Sequence, residues 1–522
     1  MRAVVVALAL SIGLASVAGA SARVVAGTPR ADRLVGTPGA DEMRGLAGND
    51  SLVGLGGADF LQGGPGRDVL AGGPGADRIA TSYDDARDTV RCGAGADVVN
   101  ADADDVVARD CELVGRRISR DPYRADGAQH ETEVEPDSFT TGRTTVAVFQ
   151  VGRRHEGGAT NIGYAVTTND GTTWRNGFLP GLTVAGRPAG VNLRASDPAV
   201  AYDAAHATWL VSTLALGEGI TRLAVNRSPD GSAWSGATFA AEESGSGGDE
   251  GIAFDKNWIG CDNTPASPFY GRCYLVYTHS AGDDMLQVRS SVDGGQTWSP
   301  GVDVGARPAV GAFPAVRPTG ELVLVYLWET SPAAIAASRS MDGGASWAPP
   351  VRIADVDGRC RVRGFRAFPL PSADVDAAGR VWAAWHDCTA PGASTSSAFV
   401  ASSTDGSTWS ARVAATRGRD ALLPAIGIDP GTGRIALAYM RSGPGGIDVE
   451  LVESASGAIW GAPRRLSAQS MPLDWMPTTT SGRMLGDYIS VHYSRGRPLV
   501  VWVLATEPVG SSFRQAVYAT RG

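Results

Sequence analysis

Beginning at Gly27, a nine-residue unit runs six times in succession without an insertion: GTPRADRLV, GTPGADEMR, GLAGNDSLV, GLGGADFLQ, GGPGRDVLA and GGPGADRIA. Each unit opens on glycine and carries aspartate at its sixth place: Asp32, Asp41, Asp50, Asp59, Asp68 and Asp77. Each has an apolar residue at its eighth: Leu34, Met43, Leu52, Leu61, Leu70 and Ile79. Such a period predicts a stacked coil in which every unit is one turn plus one short strand. Glycine lets the turn adopt positive φ, so that backbone carbonyls approach an ion closely. The aspartates line up along one edge, where bare carboxylates repel one another unless a cation sits between them. Oxygen-only donors on turns suit Ca²⁺ rather than a transition metal. A flexible Gly/Asp linker has no reason to keep an apolar residue at every eighth place.

The units resemble the RTX (repeat-in-toxin) nonapeptide G-G-x-G-x-D-x-U-x, and the resemblance implies a calcium-binding parallel β-roll. It is close from Gly27 to about Ala80 and then decays. A two-residue slip at Thr81 and Ser82 precedes two degenerate units, YDDARDTVR with Asp88 and CGAGADVVN with Asp97. The first two units place Thr-Pro after the opening glycine, which predicts weaker ion sites there.

Arg2, an apolar run from Val4 to about Val17 and the small residues Ala20-Ser21-Ala22 read as a secretory leader over residues 1–22. No later run approaches the ~20 apolar residues of a membrane span. Six cysteines suit an oxidising destination, and sequence neighbours suggest the pairs Cys92–Cys111, Cys261–Cys273 and Cys360–Cys388. A formal net charge of -9 argues against a nucleic-acid partner. The expectation is a secreted or cell-surface protein.

Residues 23–111 are thus assigned to the roll and 112–132 to a linker or closing strand. From 133 to 522 a second, longer period appears, marked by a Ser/Thr-x-Asp-(x)-Gly-x-x-Trp turn. Full-length copies run Ser291–Trp298 and Ser340–Trp347, shorter ones Thr168–Trp174, Ser228–Trp234 and Ser403–Trp409, and Ser454–Trp460 has Ser456 in place of aspartate. Hydroxyl and carboxylate bond the N–H groups of a tight hairpin, glycine supplies the left-handed residue, and tryptophan covers the loop. The tryptophans lie 49 to 64 residues apart, room for one four-stranded sheet each, and the intervening runs read as strands (TTVAVFQ, CYLVYTH, ELVLVYLW, PLVVWVL). Repeated four-stranded units point to a β-propeller, which closes on itself and so hides its sheet edges. The markers resemble the Asp-box (BNR) repeat of sialidase-like propellers, which implies that Asp170, Asp230, Asp293, Asp342 and Asp405 are structural and stand on the outer rim. The fold class is therefore all-β, a parallel roll followed by a propeller. Seven strand-opening segments (EVEPDSF, SDPAVAY, DKNWIGC, FPAVRP, PSADVD, LPAIGID, GDYISV) against six markers favour seven blades, with six as the alternative. In the seven-blade reading, residues near Ile118–Glu133 complete the last blade like a clasp.

The innermost strands of a propeller face a central channel, so the opening segments nominate ligand-binding or catalytic residues. They bring forward Glu135, Asp197, Asp255 and Asp487, with Lys256 and Tyr488 beside them. Carboxylates gathered round one axis raise each other's pKa, or hold a cation or a polyol. Lys256 is the only lysine in a chain that otherwise writes arginine. The structural alternative is that these groups hydrogen-bond the neighbouring blade or cap strands. The sialidase resemblance implies three arginines, a Tyr–Glu nucleophile pair and an aspartic acid. Yet its Phe-Arg-Ile-Pro motif is missing, and Phe365-Arg366-Ala367-Phe368-Pro369 is only a late, loose echo. Arg317, Arg366 and Arg483 lie near blade starts without marking a triad, and neither Tyr488 nor Tyr493 sits in a matching motif. Three readings stand: a secreted calcium-binding protein whose propeller binds glycan or another surface ligand, an exo-α-sialidase or related exo-glycosidase, and a structural cell-surface protein.

Overall fold

A computed structural model describes residues 23–81, 83–124, 127–244, 253–280, 283–357, 362–390 and 393–522. The leader expected over residues 1–22 and Cys360 lie outside the described residues. The described residues form β-strands and one short 3₁₀ turn at Leu473–Trp475, with no α-helix among them. No helix of the described residues is long and apolar enough to cross a membrane.

Each nonapeptide contributes one strand, and successive strands alternate between two parallel sheets. One sheet stacks Arg23–Ala26, Asp41–Arg44, Phe60–Gln62, Arg78–Ala80, Val98–Ala101 and Leu113–Arg117; the other stacks Arg33–Val35, Ser51–Val53, Val69–Pro74, Thr89–Ala94 and Val106–Val107. A full turn therefore takes two units, as in the pairing of Arg33 with Ser51. The slip at Thr81–Ser82 lengthens the turn that spans it, so that Val69 pairs with Thr89 and Arg78 with Val98. Eighth-place residues fill the interior: Met43, Leu52, Leu61, Leu70, Ile79, Val90 and Val99 are all fully buried. The Cys92–Cys111 disulfide closes the carboxyl-terminal end of the roll.

Positive φ falls elsewhere in the repeat than expected. The fourth-place glycines Gly48, Gly57, Gly66 and Gly75 and the second-place Gly64 and Gly73 adopt it, as do Leu46 and Leu55 at second places. The opening glycines do not, and lack of space rather than φ demands them. A side-chain carbon on Gly45, Gly54 or Gly72 would overlap the carboxylate of Asp50, Asp59 or Asp77.

Apart from a two-stranded ribbon of Thr478–Thr479 with Gly482–Arg483, the remaining strands among the described residues form seven antiparallel sheets whose first strands touch in a closed ring. Those first strands are Ala128–Thr141, Arg194–Asp203, Phe254–Cys261, Ala309–Val316, Ser372–Val375, Ala421–Ile428 and Ser490–Ser494. They coincide with the opening segments read from the sequence. Sheets 1 to 6 each take four consecutive strands, and the tryptophan-marked turns join the third strand to the fourth. The glycines of each turn rest on the second strand of the preceding sheet: Gly231 on Val146, Gly295 on Leu210, Gly406 on Val323, Gly457 on Trp382. Gly171 rests on Leu499 of sheet 7 and so helps to close the ring. The Cys261–Cys273 disulfide ties the first two strands of sheet 3 together. Cys388 is also disulfide-bonded.

Sheet 7 departs from the expected clasp. Its strands Ser490–Ser494, Arg497–Val509 and Ser512–Arg521 are completed mainly by Leu113–Arg117, the last strand of the roll, while Ile118–Glu133 adds only isolated bonds to the same edge. Gly115, Arg116 and Arg117 pair antiparallel with Thr520, Ala519 and Tyr518, while Leu113–Arg116 pair parallel with Val98–Ala101. Within the segment 112–132 expected as a linker or closing strand, Leu113–Arg117 is thus a closing strand, and one common to both halves. Ile118 extends the ladder by one bond, to Val517 (2.9 Å), and Ala128–Thr141 becomes the first strand of sheet 1, with Thr132 pairing once with Gln515 of sheet 7.

Candidate functional sites

From Asp50 to Asp97 the described rungs of the roll are built alike. The Oδ1 of each aspartate accepts the backbone N–H of the aspartate one turn earlier: Asp50 from Asp32 (2.8 Å), Asp59 from Asp41 (2.8 Å), Asp77 from Asp59 (2.9 Å) and Asp97 from Asp77 (2.8 Å). The other oxygen is left over. Oδ2 of Asp50, Asp59, Asp68, Asp77, Asp88 and Asp97 is buried without a hydrogen-bond partner. A buried, unpartnered anionic oxygen costs several kcal/mol unless an ion or proton meets it. A backbone carbonyl oxygen of the next turn stands beside it at the opening glycines. The same added carbon on Gly45, Gly54 or Gly72 would meet the carbonyl oxygen of Gly63, Gly72 or Cys92 as well as the aspartate. Carboxylate and carbonyl oxygens therefore converge on one small cradle per rung, a donor set that fits Ca²⁺. Burial, and then the neighbouring carboxylates, pushes Asp68 and Asp77 up to about 6 and Asp88 up to about 8, opposed by the backbone bonds.

The first two rungs differ. Asp32 Oδ2 accepts the Thr28 N–H (2.6 Å) and hydroxyl (2.8 Å), and Asp41 Oδ2 accepts the Thr37 hydroxyl (3.0 Å). Threonine at the second place satisfies the oxygen that elsewhere stays free.

The tryptophan-marked turns are local hydrogen-bond knots. Asp293 Oδ1 accepts from the N–H groups of Gln296 (2.9 Å) and Thr297 (3.0 Å) and from the Ser291 hydroxyl (2.8 Å), and Asp230, Asp342 and Asp405 repeat the pattern. The turn after sheet 1's third strand is the exception. There Asn169 Oδ1 accepts the Thr173 N–H (2.9 Å), while Asp170 faces Arg143 (3.0 Å) and Ser494 (3.1 Å) across the seam with sheet 7.

At the ring's centre, five first strands carry a register shift, and the residue there is left-handed: Glu135 (φ 53), Asp197 (φ 46), Lys256 (φ 47), Gly311 (φ 66) and Leu423 (φ 48). Such backbone costs about 1–3 kcal/mol at a non-glycine residue and gathers at functional sites. The equivalent position in sheet 3 is therefore Lys256, not Asp255, the residue that the opening segments align with Glu135 and Asp197. Lys256 Nζ bonds Asp487 Oδ2 (2.7 Å) and Asp197 Oδ1 (3.0 Å), with Glu135 Oε1 at 3.8 Å. Arg366 grips Asp487 from the far side, Nε to Oδ1 at 2.7 Å and Nη2 to Oδ2 at 2.5 Å. Gln150 donates to Glu135 and to Ser196 Oγ (3.1 Å).

These charges set each other's protonation. Burial pushes Glu135 up to about 7 and Asp255 up to about 6; the Lys256 ammonium opposes both shifts, and the neighbouring carboxylates add to them. Burial acts on Asp487 too, but Lys256 and the two-pronged Arg366 outweigh it and hold that carboxylate well below its ordinary value. Burial likewise opposes the Lys256 charge, and Asp197, Asp487 and Glu135 overcome it, raising the ammonium well above its usual range.

The knot separates two cavities. On one side is a polar mouth of about 190 Å³ lined by Glu135, Asp197, Asp255, Lys256, Arg366 and Arg153, among others. On the other is a more apolar channel of about 270 Å³ bounded by Trp258, Phe313, Leu370 and Tyr488. Tyr488 packs edge-on against Trp258 (4.9 Å) and its hydroxyl reaches Pro198 O (3.4 Å), so it stands apart from the polar mouth. Hydrogen bonds between sheets are made by this set itself, Lys256 to Asp197 and Tyr488 to Pro198 O, and also by Asp137 and Asp374, which accept the N–H of Val200 (2.8 Å) and Ile428 (2.8 Å). Arg317 and Arg483 point elsewhere, to Gly379 O (2.7 Å) and Met476 O (2.6 Å), and Tyr493 turns to Glu453 (3.3 Å). Arg153 and Gln150 escaped the sequence reading because they stand on a second strand, Thr144–Arg154, outside any repeated motif.

Residues 26–61 and 53–81 match the RTX calcium-binding nonapeptide repeat family (4 copies). The amino-terminal module is accordingly an RTX calcium-binding repeat. No curated protein matches the chain. Similar solved structures include a leech intramolecular trans-sialidase in complex with 2,7-anhydro-Neu5Ac, at 13% identity over 62% of this chain and 67% of that one, TM-score 0.40. An α-L-arabinanase of Penicillium chrysogenum complexed with arabinobiose is 13% identical over 62% and 92%, TM-score 0.41. A protein of unknown function from Dyadobacter fermentans is 15% identical over 78% and 98%, TM-score 0.41.

Proposed function

We propose that this is an exported, calcium-loaded binding protein whose propeller takes an acidic glycan at its polar mouth. Arg153 carries the reading. Its residue is 3% exposed, its Nη1 donates to the Arg154 carbonyl, its Nε has no hydrogen-bond partner, and it makes no ion pair among the described residues, yet it lines the mouth with Arg366 and Lys256. Burial opposes the Arg153 charge more than Glu135, Asp487 and Asp197 offset it, and a ligand carboxylate or sulfate paired directly with the guanidinium would make up the difference. A guanidinium meets such planar oxyanions with two parallel bonds. Glu135, Asp197 and Asp255 on the same cavity would accept bonds from sugar hydroxyls. In the roll, the six unpartnered Oδ2 atoms of Asp50, Asp59, Asp68, Asp77, Asp88 and Asp97 would hold the calcium, with Asp32 and Asp41 contributing less. Two closed disulfides suit the oxidising exterior.

Titration calorimetry in saturating calcium with sialylated, uronate-containing and neutral oligosaccharides tests this. Acidic sugars should bind, and Arg153→Gln should weaken them at least tenfold with an unchanged melting temperature. Equal binding of neutral and acidic sugars, or no effect of the substitution, would refute it. A second reading, exo-glycosidase action, is favoured by Glu135, which keeps a proton near neutrality beside Asp197 and Asp255, the pairing of acid and carboxylate that glycoside hydrolysis uses. Turnover of fluorogenic glycosides that is lost in Glu135→Gln would establish it. Neither binding nor turnover would return the chain to a structural role at the cell surface.

A further inference from the structure

We propose that calcium loading of the roll is what closes the propeller ring, so that the polar mouth is completed only where calcium is present. The mouth's role as ligand site is the reading given above; the coupling itself rests on the strand Leu113–Arg117.

That strand has no edge of its own to spare. One edge is bonded to Val98–Ala101 of the roll and the other to Ser512–Arg521 of sheet 7. The contact continues past the strand, with Ile118 N–H donating to Val517 O (2.9 Å) and Val517 N–H to Ser119 Oγ (2.8 Å). Remove it, and sheet 7 presents an unpaired edge, which natural sheets avoid. The carboxylate ladder sets the strand's position. Asp97 N–H donates to Glu112 Oε2 (2.9 Å) as each aspartate donates to the next, and Leu113 N–H donates to Asp97 O (3.1 Å). Glu112 is thus the terminal rung, and the junction strand starts on the following residue.

The two halves are also packed as one body. Asn100 clamps sheet 6's outer segment with two bonds, Nδ2 to Leu466 O (3.0 Å) and Oδ1 from Ala468 N–H (2.6 Å), while Arg78 reaches Ala468 O (3.2 Å). Phe60, Ala80, Val98 and Leu113 of the roll join one apolar cluster with Leu466, Met471, Trp502 and Tyr518 of the propeller. Gly115 lies against Trp502 and Thr520 with no room for a side chain. The repeat's irregularity falls at this seam. Just after the slip, Tyr83 stacks under Arg117 (4.4 Å), which also pairs with Asp102 (3.2 Å). Asp487, the carboxylate that holds Lys256 and Arg366, lies three residues before sheet 7's first strand, so loss of sheet 7 removes the knot at the mouth.

Hydrogen exchange on the full chain, with calcium in excess and with chelator, tests the coupling. In chelator the amides of Ala516–Thr520 should exchange at least tenfold faster, in step with those of Leu52 and Leu61 in the roll. Gly115→Val, which leaves every carboxylate in place, should abolish the calcium dependence at Ala516–Thr520 while Leu52 and Leu61 keep theirs. Ala516–Thr520 protected equally with and without calcium overturns the proposal, whether or not the roll loosens. Sugar binding measured in saturating calcium is a separate readout. If it fails while exchange is coupled, the mouth reading falls and the coupling stands; if exchange is uncoupled while sugar binds, the reverse holds.

Discussion

Replacing Asp59 by asparagine separates the charge of a rung from its hydrogen bond. Asparagine keeps an oxygen to accept the Asp41 N–H, now 2.8 Å away, and loses only the negative charge at the buried, unpartnered Oδ2. If that oxygen holds calcium with a dissociation constant of ~10⁻⁴–10⁻³ M, about 10 mM free calcium stabilises the folded roll by ~1.4–2.7 kcal/mol per site. The substitution should remove that amount in calcium. In chelator its sign should vanish or reverse, because it then removes an uncompensated buried charge and its repulsion with Asp41. Asp32→Asn is the internal control. Thr28 already satisfies its Oδ2 with two bonds, so its loss should depend little on calcium. Calorimetric melting of the full chain, with each variant scanned in calcium and in chelator, measures all four differences. Equal destabilisation by Asp59→Asn in both conditions would show a hydrogen-bonding role alone, and the ion cradle inferred from the orphan oxygens would be wrong.

Buried His386, whose Nδ1 accepts the Leu423 N–H (3.2 Å), is pushed by burial down to about 4. A base depressed in the fold contributes fully above its unfolded value near 6.5 and loses that contribution as pH falls towards 4, a drop of about 3 kcal/mol; chemical denaturation against pH should show the slope, and His386→Gln should flatten it. Replacing Cys261 and Cys273 together by alanine opens a 12-residue loop and should cost about 3 kcal/mol, read as a lowered denaturant midpoint without loss of calcium response. Removing the Asp293 carboxylate by alanine should cost about 1–2 kcal/mol through loss of its turn bonds, with sugar binding unchanged because the turn stands on the outer connection of sheet 3.

What repeats was legible. Nine-residue units announce the roll because each turn needs the same glycine, carboxylate and apolar residue at the same places, and eighth-place residues such as Leu61 and Ile79 are inside as that period demands. The tryptophan-marked turns were legible for the same reason, each being a closed set of bonds within eight residues, such as Ser291–Trp298. Even the difference of the first two rungs could be read, since Thr28 and Thr37 stand at the second place, where the repeat pattern has glycine, and their hydroxyls bond the aspartates.

What converges was not. A one-residue error of alignment put Asp255 where Lys256 belongs, because the register shift that turns Lys256 inward is decided by pairing between strands and leaves no local mark. Arg153 and Arg366 reach the mouth from separate elements, and no spacing along the chain ties them together. Residues 112–132 could be read only as a linker or closing strand because they are polar and aperiodic; that Leu113–Arg117 closes sheet 7 while still pairing with the roll is decided by its partners on both edges rather than by its own pattern. Local chemistry thus determined the modules of this protein from the sequence by itself. Only the tertiary structure decided how they share a strand and which charges meet at the axis, because both depend on residues hundreds of positions apart being brought within a hydrogen bond of one another.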